Sequence, residues 1–213
     1  MARVALDITI SLDGFVAGPS PTVEKPLGDG GELLHEWIFG LASWRARHGL
    51  DGGTRGADDD VYEESVAATG AVVMGRRMFS GGGGAWEDDP VADGWWGDDP
   101  PFGVPVFVVT HHAREPLVLG ATTFTFVTAG VEEAVDRARA AAGDRNVAIA
   151  GGASVVQQAI RAGLLDELQL HVAPVLLGGG LRLFDDVGPA PQDLELTRAT
   201  GSAAITHLRY RVR

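Results

Sequence analysis

Read for apolar and polar spacing, residues 3–11 (Arg3-Val4-Ala5-Leu6-Asp7-Ile8-Thr9-Ile10-Ser11) form a first strand. Leu33, Leu34, Trp37, Ile38, Leu41 and Trp44 then recur at helical spacing, which predicts a helix over 32–47. A short helix is expected over 61–68, with Asp58, Asp59 and Asp60 at its N-terminus, where acidic side chains suit the helix dipole. Residues 71–74 read as a buried strand. The stretch 81–101 is dense in Gly, Asp, Pro and Trp and reads as one long loop. Beyond it the pattern predicts strands over 104–110 and 123–127, a helix over 131–142 and a strand over 146–150. A helix over 154–162 and strands near 168–172, 194–199 and 205–212 complete the chain.

Strands alternate with helices through the middle, and a strand-only end follows. That order predicts an α/β fold with a mainly parallel central sheet and an antiparallel C-terminal hairpin at one edge. The chain has 213 residues, 45% of them hydrophobic, without a repeat or a compositional break. One domain over 1–213 is the expectation.

Charge and cysteine content narrow the chemistry. The formal net charge is -12, Lys25 is the only lysine, and the arginines are scattered. No basic stripe is present to displace phosphate counterions, so neither nucleic acid nor an anionic membrane is an expected partner. The absence of cysteine excludes disulfides, thiolate catalysis and cysteine-based metal sites. No leader-like pattern and no run of membrane-spanning length is seen, which gives a cytoplasmic expectation.

Three strand ends carry candidate chemistry. In Val147-Ala148-Ile149-Ala150-Gly151-Gly152-Ala153-Ser154-Val155 a buried strand meets two glycines and then a helix. Glycines allow close backbone approach, and helix N–H groups attract phosphate; the same pattern also serves as a plain tight turn. In Ala71-Val72-Val73-Met74-Gly75-Arg76-Arg77 a buried strand delivers a glycine and two arginines to the edge where α/β sheets bind ligands. The guanidinium fork suits a phosphate, while solvated helix-start residues are the alternative. The strand ending at Thr110, His111 and His112 offers hydrogen-bonding groups or simple surface. Adjacent histidines on an extended segment face opposite ways, so no metal site is expected. Neither a G-x-G-x-x-G fingerprint nor a Walker loop is present. The carboxylate runs read as solvated faces, Asp13-Gly14 as a turn, and Trp86, Trp95 and Trp96 either as pins for the Gly-rich loop or as stacking platforms.

Taken together and in order, these segments resemble the dihydrofolate reductase superfamily. They are most similar to its branch related to the reductase domain of the bifunctional riboflavin-biosynthesis deaminase/reductase. The stretches that carry the likeness are Ser11-Leu12-Asp13-Gly14-Phe15-Val16-Ala17, Val73-Met74-Gly75-Arg76-Arg77, Val108-Val109-Thr110 and Ala150-Gly151-Gly152-Ala153-Ser154. The fifth runs from Leu164-Leu165-Asp166-Glu167-Leu168 through His171-Val172-Ala173-Pro174-Val175 to Gly178-Gly179-Gly180 and Phe184. The resemblance implies a three-layer dihydrofolate-reductase-like fold, NADPH as cofactor, a heterocyclic small-molecule substrate and a homodimer. It places Val16 and Ala17 beside the nicotinamide, and Gly75 at the strand end that delivers the arginines. Arg76, Thr110 and His111 fall near the adenosine 2′-phosphate. Arg77 and the turn formed by Gly151, Gly152, Ala153, Ser154 and Val155 fall at the diphosphate. For substrate and proton it implies an acid near Asp59 or Asp60, with His171 as a neighbour. The arginine that grips a folate tail has no counterpart in Pro100-Pro101-Phe102-Gly103-Val104-Pro105. The implied activity is reduction of a pterin- or pyrimidine-like heterocycle; the alternative is a non-catalytic nucleotide-binding module on the same fold.

Overall fold

Two-residue alternation decides how the main sheet is covered. The computed structural model describes residues 2–213. Its main sheet contains β1 (Val4–Ser11), β3 (Thr69–Gly75), β4 (Val106–Val109), β5 (Leu117–Leu119), β6 (Thr122–Val127), β7 (Asn146–Gly151), β8 (Glu167–Ala173), β10 (Leu194–Gly201) and β11 (Thr206–Val212). The spatial order is β10-β11-β8-β1-β7-β3-β4-β6-β5. The run from β8 through β6 is parallel, while β11, β10 and β5 are antiparallel to their neighbours. This is the mainly parallel sheet with a C-terminal hairpin that the sequence order predicts.

On β1, Val4, Leu6 and Ile10 face a core shared with helices α5 (Val131–Ala142) and α6 (Ala153–Arg161). Asp7 and Thr9 therefore face the opposite layer. That layer has two parts. Helix α3 (Ala57–Ala68) lies over one end, its Ser65 hydroxyl donating to Asp7. Helix α4 (Arg76–Ser80) and the long loop lie over the other, above Val72, Met74, Val106, Val108, Phe124 and Phe126. Phe79 is the fully buried anchor there, edge-on to Phe124 and Phe126 at 5.0 and 5.3 Å. Burying a ring of this size contributes about 1.5–3 kcal/mol.

The helix expected over 32–47 is broken. It consists of a 3-10 turn (Gly31–Leu34), α1 (Glu36–Phe39) and α2 (Ala42–Arg47). The break has a local cause: Leu41 is extended, and Gly40 and Ala42 exchange backbone hydrogen bonds with Thr54 at 2.8 and 3.1 Å. The apolar residues still reach inward, with Leu34 packed on Ala173 and Ile205. Three short strands escape the sequence reading. They are β5 and the antiparallel pair β2 (Phe15–Ala17) and β9 (Leu181–Arg182). Among the described residues, no helix is long and apolar enough to cross a membrane.

Candidate active site

Parallel pairing gathers the three candidate turns at one edge. Met74 is paired with both Val108 and Gly151, and Gly75 with Val109, so β3, β4 and β7 end side by side. The C-terminal edge of such strands is where α/β sheets hold ligands. A Cβ added to Gly75 would lie 3.1 Å from Val155 Cγ2 and 3.5 Å from the Gly152 nitrogen. Glycine at position 75 thus lets the β3–α4 and β7–α6 turns touch. Helix α6 starts directly after Gly152 without a side-chain cap. Its Ala153 and Val155 are buried, whereas Ser154 is exposed and shares its hydroxyl with Gln158 Nε2 at 3.1 Å. Uncapped first-turn N–H groups of this kind suit an anion.

The two arginines after Gly75 separate in role. Arg76 turns inward, 6% exposed, and pairs with Asp89 under the ring of Trp86, 3.5 Å from its centroid. Asp89 also accepts from the Ser80 hydroxyl at 2.8 Å and the Val91 N–H at 2.9 Å. Burial pushes the Asp89 carboxyl up, but these donors outweigh it and hold the group below its ordinary range. Arg76, assigned by resemblance to a 2′-phosphate, gives Nη2 to Asp89, while its Nε and Nη1 are buried without a protein partner. Arg77 is exposed, and its side chain makes no hydrogen bond or ion pair among the described residues. Thr110 is buried, its N–H on Val127 O and its hydroxyl accepting from His112 N–H at 3.2 Å; His111 is exposed beside it. The tryptophans act as pins. Trp86 packs edge-on to Phe79 and Phe126, and Trp96 packs against Phe102.

Val16, half-buried, and Ala17, buried, lie on β2, which the Ser11–Asp13 turn ties down. Asp13 accepts from the Ser11 hydroxyl at 2.6 Å, from Gly178 N–H at 2.8 Å and from Leu177 N–H at 3.1 Å. The Ser11 bond foremost, against a weaker desolvation effect, lowers its carboxyl from 3.8 to about 2. The turn reading of Asp13-Gly14 is what the geometry shows: this side chain clips the Gly178–Gly180 loop to the end of β1. A depressed folded value means that the clip is complete above pH 3.8 and is lost only as pH falls toward about 2. Asp13→Ala should accelerate amide hydrogen exchange at Leu177 and Gly178 at neutral pH. Unchanged protection would show that the loop is held otherwise.

The expected acids sit on the other layer. Asp59 is fully buried and accepts from the Ser43 N–H at 2.8 Å, the Ser43 hydroxyl at 3.1 Å and Arg55 at 3.2 Å. It anchors α2 to α3, and its bonds are spent on protein groups. Asp60 is exposed on α3. His171 is buried, among neighbours that the sequence pattern does not bring together. Its Nε2 meets Asp7 Oδ1 at 2.9 Å and its Nδ1 meets His207 Nδ1 at 2.6 Å. His207 Nε2 in turn meets Asp58 Oδ1 at 3.1 Å. Trp37 packs on both imidazoles and donates to Thr9 Oγ1 at 3.2 Å. Asp58 lines a cavity of about 400 Å³ with Trp37, Leu41, Arg55 and Ser202. One signal in the sequence pointed this way: a polar residue at alternate positions of strands otherwise read as apolar, Asp7, His171 and His207.

Among the described residues no cluster of three or more His, Asp or Glu has the geometry of a metal site. Solved structures share the fold over the whole chain. A Shewanella sp. PV-4 protein assigned to riboflavin biosynthesis is 20% identical, with a TM-score of 0.65 and 99% of its chain covered. The Thermotoga maritima diaminohydroxyphosphoribosylaminopyrimidine deaminase/5-amino-6-(5-phosphoribosylamino)uracil reductase is 15% identical, with a TM-score of 0.57, and 57% of its length is covered. A pyrimidine reductase-like protein of Corynebacterium diphtheriae is 14% identical, with a TM-score of 0.51 and 92% covered. No curated protein sequence matches the chain. The RibD C-terminal domain family matches residues 2–206, and the chain belongs to that family.

Proposed function

We propose that this protein is an NADPH-dependent reductase of a pyrimidine- or pterin-like heterocycle. The observation that carries the reading is the junction of Gly75, Gly151 and Gly152 at one sheet edge, with the uncapped start of α6 and the unpaired Arg77 beside it. A Cβ at Gly152 would meet nothing within 4 Å, so the backbone there opens onto free space into which a ligand fits. The residues suit a dinucleotide. The first-turn N–H groups of α6 and Arg77 would take the diphosphate, His111 lies where the 2′-phosphate is implied, and Val16 and Ala17 border the nicotinamide end. When bound, the nicotinamide supplies hydride, and the protein supplies orientation, charge and exclusion of water. Family membership and the reductases named among the structural neighbours support a pyrimidine-type substrate.

Titration with NADPH and NADH, followed by quenching of tryptophan fluorescence, is the direct test. Saturable binding with a preference for NADPH is expected; no response to either would sink the reading. Arg77→Ala should weaken both cofactors alike by about 10- to 100-fold, because the diphosphate is common to both and one charge-assisted contact is worth about 1.5–3 kcal/mol. A loss confined to NADPH would move Arg77 to the 2′-phosphate.

The same proposal includes a homodimer formed through sheet edges. Strand β10 is an edge strand and exposes Leu194 and Leu196. Sedimentation that shows only monomer at micromolar concentration would overturn it.

A further inference from the structure

The chain of contacts from Asp7 through His171 and His207 to Asp58 has a proton count that does not balance in the ordinary forms of its members. Three hydrogen bonds link four groups in series. Each needs one proton between its heavy atoms. Two ionised carboxylates and two neutral imidazoles bring only two. With Nε2–H of each ring directed at a carboxylate, the 2.6 Å contact between the two Nδ1 atoms stays empty and repulsive. A third proton closes it. Closing all three contacts thus takes one proton beyond the neutral-pH forms of the parts.

We propose that these four residues form a one-proton store that discharges through Asp58 into the adjoining cavity and protonates the heterocycle reduced there. The delivery half rests on the reductase reading; the store itself does not. Burial, and then the charge on His171, lower the affinity of His207 for an additional proton. The surrounding groups are already matched. From β1 these are Asp7 and Thr9, and from β8 Gln169. From β11 Arg209 pairs with Gln169 at 2.7 Å and with Glu64 of α3 at 2.6 Å; from β10 Arg198 reaches Glu64 at 2.6 Å. Ser65 of α3 donates to Asp7, Tyr62 lies near it, and Ser202 donates to Asp58 at 2.7 Å. At the far end Arg55 pairs with Asp59 and Glu63. None of these supplies the third proton to the imidazole pair.

The ionised Asp58 first takes the Nε2 proton of His207 and passes it on: a C=N bond of the substrate, such as that of a ring-opened ribosylamino group, accepts hydride at carbon and this proton at nitrogen. His207 Nδ1 then takes the proton that His171 donates, and His171 is left neutral. The sum is one C=N bond, one hydride and one proton converted to CH–NH, with the store refilled from water through Asp58. Asp58 is the residue that touches substrate; His207 and His171 position and supply. The cavity and the cofactor edge are linked through β1: Trp37 of the cavity donates to Thr9 on one face of the strand, and Ile8, on the other face, would lie 3.6 Å from a Cβ at Gly151.

The test begins with the wild-type protein without cofactor, 15N-labelled at histidine, with His171→Gln and His207→Gln for assignment. Imidazole NMR at pH 7 should show three N–H protons on the pair, one of them shared between Nδ1 atoms. Two protons would overturn the proposal whatever the turnover. With NADPH and 5-amino-6-(5-phosphoribosylamino)uracil as probes, Asp58→Asn should lower kcat about 100-fold or more, the range of a lost general acid. Its NADPH affinity should be unchanged, and its rate should fall more steeply with rising pH than that of the wild type. A wild-type rate and pH profile in Asp58→Asn would overturn delivery. Failure of the wild type to oxidise NADPH, with three protons in place, would overturn the reductase reading and delivery but leave the store standing.

Discussion

Gly152→Val should leave the fold intact and lower NADPH affinity by more than about 100-fold. Gly152 has φ -73 and ψ -177, a conformation open to any residue, and an added Cβ meets nothing within 4 Å. Surface changes of this sort alter stability by about 0.5 kcal/mol or less. The space that the side chain enters is the one assigned to the diphosphate. Displacing that group from the first N–H groups of α6 and from Arg77 removes at least two charge-assisted contacts of about 1.5–3 kcal/mol each. Their sum is about 3–6 kcal/mol, which exceeds a 100-fold loss. Gly151 is the poorer probe, because its φ of +130 makes any side chain strained and mixes folding with binding. The measurements are a thermal melt and a fluorescence titration on the same sample. An unchanged melt with undiminished NADPH binding would remove the diphosphate from this turn.

What the sequence revealed of this site follows from which interactions are local. The strand–Gly–Gly–helix signal at 147–155 depends on neighbouring residues and on backbone freedom, and β7, the turn and α6 lie where that signal puts them. The helix over 131–142 is equally local and agrees to the residue. The break at Gly40–Leu41 depends instead on Thr54, a partner outside any helical window, so spacing alone reads through it. The short strands β2 and β9 exist only as each other's partner across more than 160 residues. The same distinction governs the side chains. Arg76 and Arg77 are indistinguishable as a dipeptide at a strand end, and only Asp89, in the long loop, draws one of them inward. His171 is visible as a polar residue in a strand, but its partners Asp7 and His207, and the Asp58 bonded to His207, come from three separate elements. The glycine turn is legible in the sequence; the buried network becomes so only after the sheet is assembled.

Asp89→Ala should be the most damaging change to stability, and it should act through Arg76. The two side chains are 2% and 6% exposed, so the ion pair lies out of reach of solvent screening. Removing Asp89 takes the acceptor from Arg76 and from Ser80 and leaves a cation buried against Trp86. A stranded buried charge costs about 3–5 kcal/mol. For a chain of this size that lowers Tm by about 10 °C. The Val91 N–H loses its partner as well, so the loop should loosen around it and the Trp86 emission should shift toward the red. The pH dependence runs the same way. Because the folded carboxyl lies below its ordinary value, its contribution is complete above that value and disappears as pH falls through the depressed one, so the wild type should lose this part of its stability in acid while Asp89→Ala has none to lose. Arg76→Met combined with Asp89→Leu separates charge from packing. If the penalty is electrostatic, the apolar pair should recover most of the lost Tm, since well-packed apolar replacements of buried ion pairs are often neutral. A double variant as unstable as Asp89→Ala would instead assign the loss to the hydrogen bonds of Ser80 and Val91. Either result bears on the edge proposed to take the dinucleotide, because Arg76 follows Gly75 directly and α4 begins there: the buried pair is what fixes the start of α4 beneath the loop.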